Sequence, residues 1–265
     1  MVTSSISADA PTPLAVQTLG RFAVWRGDDR LPDQAWRREK ALRLFQYLLT
    51  YRQRFTARER IVVELWPELD AGRAERDFKV ALNALNTALQ PERAARGLSI
   101  YIARQGNSYG LNQEAPIAID VAAFEAGLTA GSQAESQDRP RAISLYRQAL
   151  DHYQGEYLPD TLYEDWASAE RERLTALYLV GATRLSRLLL DEGVPVEMTL
   201  WCQRVLAIDA CWEEAYRLLM QAHLAQGNRP LALRVYQQCR QVLATELGIE
   251  PMAETVRLFE RIQAA

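Results

Sequence analysis

The spacing of hydrophobic positions changes period several times along the first hundred residues. LAVQTLGRFAVW, residues 14–25, is rich in Val, Leu and aromatic side chains around Gly20, which predicts short strands with a turn or bulge. In WRREKALRLFQYLLTYR the period becomes helical, with Leu42, Phe45 and Leu49 on one face and Ala41, Leu44 and Leu48 flanking it. Thr56 followed three residues later by Glu59 has the pattern of a capping box and predicts the start of a second helix. Its Ile61, Val62 and Leu65 face a core, and Pro67 keeps it short. In a third helix, over residues 76–90, Phe78, Ala81, Leu82, Leu85 and Leu89 recur at helical spacing. SIYIARQGNSYGLN then predicts two strands, near 99–104 and 108–111, around Gly106-Asn107, a dipeptide that tolerates positive φ in a tight hairpin. Three helices followed by a hairpin is the order of a winged helix.

After Ile117 the strand signal almost vanishes. Helices are expected near 120–129, 139–152, 161–191, 196–208, 212–226, 230–246 and 252–263, with AGSQAESQDR a polar loop between the first two. Gly193 and Gly227 lie 34 residues apart, each after a helix and just before a Pro-containing restart. That spacing equals the tetratricopeptide period and predicts stacked helix pairs. The fold class expected is therefore mainly α: an N-terminal winged helix-turn-helix with short strands and a hairpin wing over 14–112, then an all-α helical-repeat domain over 117–265. Residues 1–13, MVTSSISADAPTP, lack a hydrophobic signal core and are expected to be a disordered lead-in.

The face of the third helix opposite its apolar stripe carries Arg76, Lys79, Asn83, Asn86 and Gln90, with Val80, Ala84 and Thr87 beside them. Such side chains suit a DNA major groove. Lys donates to guanine acceptors, Asn and Gln match both polar atoms of adenine, and small apolar groups touch thymine methyls. A solvated helix face accounts for the same stripe, since polar outer faces are the norm. The hairpin that follows favours the nucleic-acid reading. In a winged helix it lies against the DNA backbone or enters the minor groove, which makes Arg104, Gln105, Asn107 and Tyr109 wing candidates. Tyr109 is equally explained as a ring packed beneath the wing.

Charge divides unevenly. Residues 1–112 hold 17 Lys+Arg against 12 Asp+Glu, or +5, and the remainder 14 against 22, or −8, which together give the overall −3. Only the first half is suited to meet a polyanion. Cys202, Cys211 and Cys239 form no CxxC pair and fit reduced thiols of a cytoplasmic protein. His152 and His223 stand at no metal-ligand spacing, and no phosphate loop, nucleophile elbow or HExxH motif occurs. No catalytic site, metal or cofactor is expected. The tyrosines Tyr153, Tyr157 and Tyr163 and Trp166, around GEYLPD, read as packing residues more readily than as a partner surface.

In order and spacing, LGRFAVWRGD, REKALRLFQYLL, TARERIVVELWP, the third helix and IARQGNSYGLN resemble the antibiotic regulatory protein type of bacterial activator. The resemblance continues through IAIDVAAFEAGL, GEYLPDTLYEDWASAERERL and LALRVYQQCRQVLATELGIEP, so it runs from Leu14 almost to the end. In that type an OmpR-like winged helix precedes a bacterial transcriptional activator domain. The resemblance implies sequence-specific binding to double-stranded promoter DNA, commonly at direct repeats by more than one protomer, and contact with RNA polymerase holoenzyme. It implies a cytoplasmic protein, at the nucleoid when bound, with no membrane partner. Base-reading candidates are Arg76, Lys79, Asn83, Asn86 and Thr87, and DNA-backbone candidates are Arg37, Arg38, Lys40 and Arg58. Third helices of the type often carry several arginines, whereas here Lys79 is followed by Asn83, Ala84, Asn86 and Thr87. A protein-interaction adaptor with a degenerate winged helix and a regulator sensing a ligand through its helical domain are the alternatives.

Overall fold

The computed structural model describes residues 11–36, 38–93 and 97–264. Arg37 and most of the expected lead-in lie outside the described residues. The chain forms two compact units that do not follow chain order. The first comprises residues up to Ala123 together with Tyr153–Arg173, the second Phe124–His152 and Leu174–Ala265.

The first unit is a winged helix framed by two small sheets. Strands β1 (Leu14–Gln17), β2 (Ala23–Arg26) and β3 (Asp29–Arg30) form an antiparallel meander, extended on its other edge by β7 (Ile117–Ile119), which runs parallel to β1 with Leu14 opposite Ile117 and Val16 opposite Ile119. The expected near-absence of strand signal from Ile117 onward fails at this point. A three-residue strand is too short to display a period, and pairing with β1 forms it. Asp120 fastens the joint, its carboxylate accepting from the Thr18 N–H and hydroxyl at 2.7 Å each and from the Leu19 N–H at 2.8 Å.

Helix α1 (Glu39–Thr50) is buried along most of its length, with Leu44, Phe45, Tyr47, Leu48 and Leu49 closed off from solvent. The second helix, α2 (Arg58–Leu65), is short as Pro67 requires, but no capping box starts it. Thr56 belongs instead to β4 (Thr56–Ala57), paired with Tyr109 of β6 (Ser108–Leu111), and the Glu59 side chain turns to Arg58 and Asn107. Strand pairing takes the residue whose hydroxyl the cap needed. The hairpin of β5 (Ile102–Gln105) and β6 completes the second sheet, in the order β4-β6-β5. Between α2 and the hairpin runs α3 (Ala71–Leu89).

Residues 153–173 close this unit. Leu158 N–H bonds to the Thr18 carbonyl and Gly20 N–H to that of Glu156, at 2.8 and 2.9 Å. Fully buried Tyr157 shares a 3.0 Å hydrogen bond with Thr50, and burial raises its phenol pKa far above the ordinary value. Arg52 and Glu170, each nearly enclosed, pair at 2.7 Å, and Trp166 packs on Tyr47 with ring centroids 5.5 Å apart. Of the aromatic stretch, Tyr153, Tyr157 and Trp166 are buried, whereas Tyr163 is 99% exposed.

The second unit is helical throughout its described residues. The division between units falls inside α4 (Asp120–Ala134) and α6 (Asp165–Asp191), with α5 (Arg139–Asp151) between them. α4 continues through half of the expected polar loop, and α6 begins at Asp165 rather than near 161, after a 3-10 turn over Pro159–Thr161. Tertiary partners hold the extra turn of α4: Ser132 accepts from Arg184 at 2.8 Å, and Glu135, just past its end, accepts from the Tyr146 hydroxyl. Helices α7 (Pro195–Ile208), α8 (Glu213–Ala225), α9 (Arg229–Glu246) and α10 (Ala253–Ala264) each pack on the next. The turns at Gly193 and Gly227 are built alike. Both glycines have positive φ, 71° and 73°, and in each the following N–H reaches back five residues, Val194 to Leu189 and Asn228 to His223, at 2.8 Å. A left-handed residue with that bond is the Schellman helix ending, which a glycine adopts without steric penalty. The mainly α class, a winged helix followed by a repeat-like helical array, stands as the sequence indicates.

Candidate nucleic-acid interface

The polar face expected of the third helix exists, but its composition changes. Asp70 caps α3 by accepting from the Arg73 N–H at 3.0 Å, so the helix starts at Ala71 and gains a first turn that the apolar periodicity did not mark. Asp70 itself is the signal for that turn, since an N-cap aspartate accepts a backbone N–H of the first helical turn. It adds Arg73, 71% exposed and ion-paired to Asp70 at 3.3 Å, to a helix that otherwise reads as poor in arginine.

On the inner face, Phe78 is fully buried between Trp66 and Tyr109, at centroid distances of 6.3 and 5.0 Å. Opposite lie exposed Arg73, Arg76, Lys79, Val80 and Asn83, with Ala84 and Thr87 half-buried. Asn86 is not with them. It is 8% exposed and its Oδ1 has no hydrogen-bond partner among the described residues, so little of its side chain is open to a groove. At about 100° per residue it sits about 80° from Phe78, on the shoulder of the apolar stripe, whereas Asn83 sits about 140° away. Gln90 is turned inward too, accepting from the Ile100 N–H at 3.3 Å. The Thr87 hydroxyl donates to the Asn83 carbonyl at 2.9 Å.

Two carboxylates tie α2, α3 and the wing together. Glu75 accepts from Lys79 at 3.0 Å and Arg58 at 3.1 Å, while Glu59 pairs with Arg58 at 3.4 Å and accepts from the Asn107 amide. The bond from Lys79, then the charge of Arg58, lowers the Glu75 pKa below the ordinary carboxylate value. Glu59 is lowered chiefly by its own backbone N–H, with Asn107 and Arg58 adding to it. Arg58 N–H also bonds the Asn107 carbonyl at 2.9 Å, which seats the wing tip on the start of α2. Arg58, Lys79 and Asn107 are thus brought together around acidic partners.

At the hairpin tip, Arg104, Gln105 and Asn107 are exposed about Gly106, whose φ is 58°. Arg104 donates to the Gly106 carbonyl at 2.8 Å and lies 5.7 Å over the Tyr109 ring. Tyr109 itself is 8% exposed and packs beneath the wing on Phe78, one of the two roles open to it from sequence. Arg38, at the N-cap of α1, is exposed. Lys40 closes the end of α2 by donating to the Leu65 carbonyl at 2.5 Å beside Glu68 and the Trp66 ring, which leaves its ammonium partly committed. One residue that sequence reasoning missed is Arg93, which follows α3 and folds back so that Nη2 donates to Asn83 Oδ1 at 3.1 Å and Nη1 to the Gly97 carbonyl at 2.6 Å. No periodic or capping signal marks it.

The family model described as the bacterial transcriptional activator domain matches residues 119–263. The regulatory protein AfsR of Streptomyces coelicolor is 29% identical over 249 residues, 93% of this chain and 24% of that protein. The regulatory protein AfsR of Streptomyces griseus is 29% identical over 264 residues, 99% of this chain and 26% of that protein. The chain thus spans about a quarter of the length of these curated relatives. Among solved structures, Mycobacterium tuberculosis EmbR in complex with a low affinity phosphopeptide superposes with a TM-score of 0.82 at 19% identity, covering 97% of this chain and 66% of that one, so the fold is shared. These matches agree with the resemblance to antibiotic-regulatory-type activators.

Proposed function

The chain belongs to the bacterial transcriptional activator domain family, and from that premise we propose that it binds promoter DNA sequence-specifically and activates transcription from there. The observation that carries the reading is α3, a helix anchored through Phe78 between α2 and the wing, with Arg73, Arg76, Lys79, Val80 and Asn83 facing outward.

In this reading α3 enters the major groove. Arg76, Lys79 and Asn83 meet base edges, the exposed Val80 and the Thr87 methyl meet thymine methyls, and Arg73 reaches the flanking phosphates. Arg38 and Arg58 contact the DNA backbone, and Arg104 and Gln105 contact it from the wing. Glu59 and Glu75 hold Arg58 and Lys79 in the free protein, and on binding a phosphate replaces the carboxylates at Arg58 while a base edge replaces Glu75 at Lys79. Each phosphate neutralised releases a condensed counterion, which makes affinity salt-dependent. The acidic helical unit takes the protein partners: a second protomer on adjacent direct repeats, and RNA polymerase holoenzyme. The protein acts in the cytoplasm, at the nucleoid when bound.

Selection from a pool of random duplexes tests this. The intact chain is expected to enrich a defined motif. Asn83→Ala relaxes the preference at a single position by roughly tenfold, the worth of a lost base contact, whereas Arg38→Ala weakens binding to all duplexes alike. Failure to enrich any sequence at low salt would remove DNA recognition from the account.

A further inference from the structure

An asparagine whose amide is free at both ends pairs with adenine, because its oxygen accepts from N6 while its nitrogen donates to N7. Asn83 is exposed on α3, but its amide is not free at both ends. Its Oδ1 already accepts from Arg93 at 3.1 Å, and Arg93 is held from the far side by its 2.6 Å bond to the Gly97 carbonyl. The neighbouring turn restores no symmetry, since the proton of the Thr87 hydroxyl is directed to the Asn83 backbone carbonyl at 2.9 Å.

We infer that Arg93 is a positioning residue that converts Asn83 into a donor-only reader, so that the base selected at its position is guanine rather than adenine. The inference rests on the reading of α3 as the recognition helix. With Oδ1 engaged, Asn83 offers the two N–H groups of Nδ2. In the major groove guanine presents two acceptors, N7 and O6, whereas adenine presents one acceptor and the N6 donor. Asn83 Oδ1 keeps a second lone pair, but the guanidinium beside it repels the partial positive charge of the adenine N6 amino group and attracts guanine O6. Discrimination therefore arises from a side chain that itself contacts no base, through the direction it imposes on one that does.

The test is the base profile recovered from random duplexes by the intact chain, its Asn83→Ala, Arg93→Ala and Arg93→Lys variants. Asn83→Ala identifies the position read. There the wild type is expected to select guanine, and Arg93→Ala to shift the guanine-to-adenine ratio by about tenfold toward adenine. Arg93→Lys, which keeps a cationic donor, restores part of the guanine preference. A merely structural role for Arg93, holding the segment to Gly97, would lower affinity for every duplex and leave the profile unchanged, and that result overturns the inference. So does adenine at the Asn83 position in the wild type, although α3 would then still read bases. An Asn83→Ala profile identical to wild type removes the underlying reading of α3 as well. Should the Arg93 variants fail to fold, methylating N7 of that guanine gives an independent measure. Wild-type binding is expected to weaken by about tenfold, and unchanged binding overturns the inference.

Discussion

A fragment ending at Ala123 is expected to show no cooperative thermal transition, although it contains every helix and strand of the winged helix. The reason lies in residues 153–173, which belong to the same compact unit. Without them Leu19 loses its bridge to Tyr157 and Tyr47 its contact with Trp166, and Thr50 and Arg52 lose Tyr157 and Glu170. The segment buries Tyr157, Leu158 and Trp166 almost completely. At about 1.5–3 kcal/mol for each large apolar side chain, the three together contribute roughly 5–9 kcal/mol, comparable to the whole stability of an ordinary domain, about 5–15 kcal/mol. Circular dichroism and calorimetry of the fragment beside the intact chain decide the matter. A fragment that melts cooperatively near the temperature of the intact chain would show that the segment is dispensable.

Phe78→Ala in the intact chain is expected to lower the stability of the first unit by about 3–5 kcal/mol, through lost burial and the cavity left between Trp66 and Tyr109. Because Phe78 fastens α3 to both α2 and the wing, DNA binding should be lost for all sequences together. Val80→Ala, two residues along the same helix but 40% exposed, should stay within about 0.5 kcal/mol of wild type. Denaturant titration of both variants separates the face that holds the helix from the face that reads. Equal effects of the two substitutions would mean that the burial pattern of α3 is wrongly assigned.

The legible parts of this fold are those with local causes. Helices α5 and α7 to α10 follow from apolar periodicity and from the paired stops at Gly193 and Gly227. The wing follows from Gly106-Asn107 between two short apolar runs. The parts that escaped depend on partners distant in sequence. Thr56 and Ile117 enter strands of two and three residues, whose pairing with β6 and β1 leaves no periodic trace. Tyr157 and Glu170 join a unit whose other members end some thirty residues earlier, a connection that residue patterning does not carry. The outer face of α3 was visible as a polar stripe, but the position of Asn86 on its shoulder made burial depend on neighbouring packing. Arg93 acts through a fold-back bond that no spacing rule predicts.

Whether the outer face of α3 is where DNA is held is measured most directly by fluorescence anisotropy on the selected duplex across a range of salt concentrations. The comparison is the intact chain with its Arg73→Ala/Arg76→Ala/Lys79→Ala variant, whose substituted side chains are all exposed and leave the core untouched. The wild type is expected to lose affinity steeply as salt rises. The variant should bind far more weakly, with the slope of log affinity against log salt shallower by about one for each cation that contacts phosphate. A variant that binds with the affinity and slope of the wild type would contradict the account.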